Sequence, residues 1–397
     1  MLKIYTAFTR EIDNPATAAN EILQQLNPEA NALKNTVGII HFYHEFVETG
    51  ACQAVIDALP FETVGCVSTY VGSCETYDEV ALSVTMITGD ELDYSIKTVD
   101  DCTKKSRAEI AGEAQKIFAG FTETDKPKIV MPYLPAMQNF SGDDLVAAAN
   151  DFSETVPLFG TIAFNMENMA DSHYVLGKGK FSTDMLVFMA LYGNFQPKFH
   201  TTSAFDFEEG IGNTAKIDDS DGTILKSVNG MTAVAYLKKQ GMVTSDNAVE
   251  GLVWALPAIL DYSNGTRIVR SFLGVVEGTE HIFATGELEK GANISFTYLD
   301  ASKTLASTEK LLEEINAAKE NGVIIYSCAA RAWSLGSNHF AEAEKIVEHA
   351  GEYRANYNTE LNYSVAYSGG EISPIINIDG KLINILHNYT LISCAFS

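Results

Sequence analysis

Val323-Ile324-Ile325-Tyr326-Ser327-Cys328-Ala329-Ala330-Arg331 decides how this chain is read. Four hydrophobic residues, β-branched or aromatic, follow the stop at Asn321-Gly322 and predict a buried strand. The strand runs into small residues carrying a hydroxyl, a thiol and a guanidinium. Sheet-based sites form where a strand ends and its loop presents side chains to a cleft. Two later segments are built to meet it, Tyr367-Ser368-Gly369-Gly370-Glu371 and Leu386-His387-Asn388-Tyr389-Thr390. Together the three are expected to form or border a small-ligand pocket.

Arg331 is the natural partner of a carboxylate, which a guanidinium grips with two parallel hydrogen bonds. Glu371, after a glycine pair that permits close backbone approach, either binds a ligand amine or pairs with Arg331 and ties two strands together. The first arrangement suits a zwitterion such as an amino acid. Cys328 is either a nucleophile with His387 as its base or a small buried hydrophobe. His387 and Asn388 either donate hydrogen bonds to a ligand or cap a turn. His41-x-x-His44-Glu45 lacks the four-residue spacing of a zinc helix and any third ligand. It reads as a strand-end loop with exposed histidines, so no metal and no cofactor are expected. Glycine-rich phosphate loops, a Gly-x-Ser-x-Gly elbow and kinase signatures are absent from the sequence.

Around this hub the 397 residues suffice for two domains with proper cores. The 52 acidic against 27 basic residues give a net charge of −25, which supplies no field for nucleic acid or an anionic membrane surface. No apolar run reaches the roughly 18–20 residues of a membrane span, and the start reads as a strand rather than a signal peptide. Six cysteines without a Cys-x-x-Cys pair predict free thiols in a reducing cytosol. A cytoplasmic protein is expected.

In chain order the first half repeats itself. Strand 36–43, helix 49–59, glycine strand 62–69 and long strand 80–88 are echoed by strand 128–134, helix 143–152, glycine strand 154–161 and long strand 184–192. The matching order predicts an internal duplication, about 36–90 and 128–194, with helices at 16–26 and 106–119 beside it. Residues 204–221, acidic and glycine-bearing, predict a loop into the second half. There, helices are expected at 232–240, 307–320 and from Asn338 to Gly351, with strands at 252–260, 267–276, 281–284, 293–299, 362–367 and 382–396. The fold class is α+β, with duplicated strand-helix-strand units first and a mixed sheet with flanking helices second.

These residues resemble a known family. Ile325-Tyr326-Ser327-Cys328-Ala329-Ala330-Arg331, Gly369-Gly370-Glu371-Ile372-Ser373-Pro374 and Leu386-His387-Asn388-Tyr389-Thr390-Leu391 look like the signatures of the FIST C-terminal domain. Val64-Gly65-Cys66-Val67-Ser68-Thr69 and Val156-Pro157-Leu158-Phe159-Gly160-Thr161-Ile162-Ala163 look like the glycine motifs of the FIST N-terminal domain. The name stands for F-box and intracellular signal transduction. Ala330 replaces the usual glycine of the hub, and Tyr70 then Val71-Gly72 replace a usual further glycine. The resemblance implies an N-terminal domain over 1–203 and a C-terminal domain over 222–397. It implies a bacterial sensory module without catalysis, binding a small amino acid-like ligand through Ser327, Cys328, Arg331, Glu371, His387 and Asn388. With the chain taken up by these parts, output is expected through a signalling partner in trans, such as a histidine kinase or a cyclic-dinucleotide enzyme. The rival expectations are a cysteine-dependent hydrolase or transferase using Cys328 and His387, and a protein-binding scaffold whose pocket is filled by its own side chains.

Overall fold

The structure is a computed structural model that describes residues 2–396 except 74–75, 124, 138, 151–155, 167–171, 206, 208–210, 243–256, 264, 321, 358–360 and 378. The first unit holds Lys3–Thr9 (β1), Asn35–Phe42 (β2), Glu62–Val67 (β3), the hairpin Val71–Ser73 (β4) and Thr76–Asp78 (β5), and Leu82–Gly89 (β6). The second repeats it with Asp93–Val99 (β7), Ile129–Leu134 (β8), Gly160–Ile162 (β9), the hairpin Val175–Gly177 (β10) and Lys180–Ser182 (β11), and Leu186–Tyr192 (β12). A third begins with Pro197–Ser203 (β13) and is then interrupted. The interruption comprises Ile211–Asp221 (β14), Ile224–Val228 (β15), Met231–Thr232 (β16), Ala258–Asp261 (β17), Arg267–Arg270 (β18), Phe272–Val275 (β19), Ile282–Ala284 (β20) and Asn293–Phe296 (β21). The third unit resumes with Gly322–Cys328 (β22), Asn362–Ser368 (β23), the hairpin Glu371–Ile376 (β24) and Leu382–His387 (β25), and Thr390–Phe396 (β26).

Each unit has one strand order: β1-β6-β2-β3, β7-β12-β8-β9 and β13-β26-β22-β23. The outer two pairings are antiparallel and the last is parallel in every case. A parallel pair needs a crossover, supplied by the helices Ala51–Ala58, Gly142–Asn150 and Ala341–Tyr357. Each hairpin then adds to a neighbour's sheet, β10 to β3, β24 to β9 and β4 to β23, so the three units close into a ring. Three equivalent backbone bonds mark the pseudo-threefold axis. Thr69 N–H donates to Tyr367 O (3.2 Å), Phe164 N–H to Val67 O (3.3 Å) and Gly369 N–H to Ile162 O (3.0 Å).

Glycine permits the tight crossing in two units. A Cβ on Gly65 would lie 1.8 Å from Ile40 O, and one on Gly160 2.0 Å from Pro132 O. On the axis His41, Tyr133 and Tyr326 hold equivalent register positions, opposite Cys66, Thr161 and Ala366. The two phenols lie 3.2 Å apart, and the His41 ring is 5.3 Å from that of Tyr326. His41 is therefore a core residue and not the exposed loop histidine expected. Burial lowers its pKa to about 4.

The interruption is a small barrel of its own. Its sheet runs β18-β17-β21-β14-β15-β20-β19, and its two ends belong to one run of chain bent at Ser271. Closure removes the free edges that an open sheet would expose. This overturns the loop expected over 204–221, because residues 211–221 form β14. Ala215 and Ile217 turn inward while Lys216 and Asp218 face out, a period of two that the acidic composition hides. The helix Ala341–Tyr357 also runs through Gly351, where a stop was expected, and starts after Asn338. Residues 252–256 of one expected strand, 154–155 of another, 151–152 of a helix end, and the expected stop at Asn321 lie outside the described residues. Strand β13, inside the expected 1–203 domain, pairs along its length with the C-terminal β26.

Candidate functional site

The hub strand β22 lies between β23 and β26, and all seven of its residues are buried. At its end the helix Ala329–Ser334 turns Arg331 back into the protein, where the whole side chain is excluded from solvent. A buried guanidinium must be paired and hydrogen-bonded. Its partner is Glu342, on the helix Ala341–Tyr357 and equally buried. Arg331 Nε donates to Glu342 Oε2 at 3.0 Å and one terminal nitrogen donates to the same oxygen at 2.5 Å. That nitrogen also donates to Thr308 Oγ1 (3.0 Å) and Thr304 O (3.1 Å), and the other to Tyr389 O (3.4 Å).

Glu342 is fully solvated by protein. Thr308 Oγ1 donates to Oε2 at 2.7 Å, and Ser327 Oγ to Oε1 at 2.5 Å. Burial alone would raise its pKa, but the Arg331 charge and these hydrogen bonds outweigh burial and hold it below the ordinary value. Glu371 is the opposite case. Ser368 Oγ (3.0 Å) and Thr390 Oγ1 (2.8 Å) donate to it, yet burial pushes its pKa up to about 8. One guanidinium thus has two carboxyl groups in its field and hydrogen-bonds only Glu342 of the two.

The three sequence segments do come together. Cys328 sits opposite Ser368 in the β22–β23 register, Thr390 reaches Glu371, and Arg331 reaches the Tyr389 carbonyl. Ser327, Cys328, Arg331 and Glu371 are grouped at this end of the hub. His387 lies across the β24–β25 pair from Glu371, but its ring bonds Ser373 O at 3.3 Å. Burial lowers its pKa to about 4, and burial pushes the Cys328 thiol well up, with Glu371 adding to it. No hydrogen bond joins His387 to Cys328, so the thiolate–base pair that nucleophilic catalysis requires is not assembled. Asn388 faces the barrel, where its Oδ1 accepts from Arg270 at 3.2 Å and from Thr285 at 2.9 Å.

Sequence reasoning missed Glu342, Thr308, Tyr389 and Arg270. Glu342 carries a readable signal, because it shares a helical face with Ile346, His349 and Tyr353, where a solvated acid does not belong. Arg270 likewise interrupts the apolar run Ile268-Val269-Arg270-Ser271-Phe272. Among the described residues no group of three or more His, Cys, Asp or Glu side chains is placed to hold a metal ion, and no helix is long and apolar enough to cross a membrane.

At the end of the third unit's central strand the buried Arg331–Glu342 pair forms a charge cage, and burial holds the neighbouring Cys328 thiol well above its ordinary pKa. The FIST N domain matches residues 36–231 and the FIST C domain residues 233–374, so the chain belongs to the FIST family, whose domains are associated with signal-transduction sensing. No curated protein matches it. A crystal structure of cyanuric acid hydrolase from A. caulinodans is similar over 100% of this chain and 98% of that one, at 9% identity and a TM-score of 0.33, a likeness that carries no argument.

Proposed function

We propose that this chain is a cytoplasmic sensing module that binds an amino acid or similar small carboxylate at the Arg331 cage. A signalling protein such as a histidine kinase or a cyclic-dinucleotide enzyme reads the result. The observation that carries this reading is the set of donors on one carboxylate: two guanidinium nitrogens, the Ser327 hydroxyl and the Thr308 hydroxyl. A ligand carboxylate offers the same acceptors as Glu342. Exchange is like for like at Arg331, and the free energy of the switch lies in moving Glu342 and its helix toward water. Glu371, protonated at neutral pH, ionises beside a ligand ammonium and so reads the amine end. Cys328 supplies small wall area, while His387 and Asn388 hold the loop that carries Tyr389.

A thermal-shift screen against amino acids and small carboxylates tests this. Ligand at a hundred times its dissociation constant adds about 2.7 kcal/mol of stability. Glu342→Gln removes the internal competitor's charge and should tighten binding, whereas Ser327→Ala should weaken it. Silence from both the wild type and Glu342→Gln would sink the ligand reading. It would favour the scaffold instead, which the filled cage also supports, and a pull-down would then seek the protein partner.

A further inference from the structure

We infer that the inserted barrel is coupled to the Arg331 cage through Tyr389, so that the occupant of the cage sets whether the barrel is docked. The inference rests on the cage being the regulated site proposed above.

Three consecutive residues carry the connection. Asn388 Oδ1 accepts from Arg270 of the barrel, and Thr390 Oγ1 donates to Glu371 beside the cage. Tyr389 between them does both, because its carbonyl accepts from Arg331 and its phenol bonds the Ser271 hydroxyl. Ser271 is the corner at which the barrel's closing strand bends from β18 into β19. The Tyr389 ring is fully buried and packs edge-on to Phe205 at 5.2 Å. Cys328 and Ala330 of the hub share one small core with Ile259 and Val269 of the barrel. The barrel's corner therefore rests directly on the end of the hub strand.

Tyr389 holds φ at +60°, a conformation that a bulky side chain keeps only when its surroundings impose it. Its carbonyl accepts from Ala204 N–H at 3.5 Å as well as from Arg331, and its phenol bonds Ser271. The Arg331 contact to its carbonyl, at 3.4 Å, is the longest of the Arg331 hydrogen bonds and so the first lost when the guanidinium turns to a new occupant. The docked barrel also leaves a donor unanswered. Arg270 Nε is buried and has no acceptor among the described residues, while its terminal nitrogens bond Asp143 Oδ1 (2.9 Å) and Leu386 O (3.0 Å). A buried donor without a partner raises the free energy of the docked state alone, which keeps undocking within reach of a switch.

Hydrogen exchange on the full chain without ligand tests the coupling. Glu342→Gln touches no barrel residue, yet exchange at 267–272 and 386–390 should rise about fivefold or more, the low end of ordinary couplings. Tyr389→Phe should produce the same rise, and the double variant should add nothing to either. A Glu342→Gln variant with wild-type exchange at these segments overturns the coupling, as do effects that multiply in the double variant. Ser271→Ala, which keeps the Tyr389 phenol, repeats the test if Tyr389→Phe fails to fold. The ligand reading fails separately. Silence in the thermal-shift screen with intact exchange coupling removes the ligand and leaves the device. Ligand binding without a change at 267–272 removes the device and leaves the ligand.

Discussion

Two buried arginines, Arg331 and Arg270, make two kinds of joint. Arg331 pairs with Glu342 inside the third unit, both side chains wholly buried, and every nitrogen of its guanidinium has an acceptor. Arg270 pairs with Asp143, whose side chain keeps 13% of its exposure, and it joins the barrel to the second unit's helix Gly142–Asn150 with its Nε unanswered. The first joint is closed on itself. The second spans two parts of the fold that no strand pairing among the described residues holds together. A closed ion pair in a dry site resists partial disruption, since loss of one partner strands the other charge. A joint at a seam with some water access has a softer alternative. The seam under the barrel is therefore the softer joint, and the Arg331 pair opens only when a ligand carboxylate takes the place of Glu342.

The largest effect should come from breaking the closed pair. Arg331→Ala leaves Glu342 buried and unpaired, which costs about 3–5 kcal/mol in urea unfolding. Replacing both partners, as Arg331→Met with Glu342→Leu, should recover most of that loss, because the penalty lies in the stranded charge. Asp143→Asn keeps the shape and an acceptor oxygen at a site with water access, so its cost should be about 1–3 kcal/mol. If Asp143→Asn costs as much as Arg331→Ala, the two joints are of one kind.

Much of this was legible in the residues, and the rest was hidden for physical reasons. The hub strand, the doubled order of the first half and the meeting of the three motifs all follow from apolar period, glycine position and small residues at a strand end. The third copy is hidden in the sequence because the barrel, β14 to β21, is spliced between its first strand and its first helix, Ala301–Ala318. That splice destroys the spacing by which a repeat is recognised. The sequence offers Glu371 either as the partner of Arg331 or as the binder of a ligand amine, because both residues lie in conspicuous motifs. The real partner of Arg331 lies on an ordinary amphipathic helix, and only the helical face that Glu342 shares with Ile346 and Tyr353 betrays it. Cys328 pairs in register with Ser368 and His387 with Glu371, and the His387 ring turns to Ser373 O, which no spacing in the sequence reveals.

The smallest effect separates the two carboxyl groups that share Arg331. Glu371 has its folded pKa raised from 4.5 to about 8, so between those values the folded state holds a proton that the unfolded state has lost. Its contribution is full below pH 4.5 and is lost as pH rises through 8, a slope of up to about 1.4 kcal/mol per pH unit. Glu342 has the opposite sign. Its lowered pKa contributes stability above the ordinary carboxylate range that is lost as pH falls. His41 and His387, lowered to about 4, also lose stability toward acid, as the unfolded imidazoles take up protons first. His200, raised chiefly by its hydrogen bond to Glu320, declines toward alkali like Glu371. The wild-type slope therefore mixes Glu371 and His200 with Asp143 and Glu287, whose burial also raises their pKa, and the informative quantity is its difference from Glu371→Gln. Urea titrations at pH 6.5 and 7.5 should show the wild type losing about 1 kcal/mol more than the variant over that unit. Equal losses would assign the alkaline decline to His200, Asp143 and Glu287 and leave Glu371 ionised, with Arg331 shared between both carboxylates.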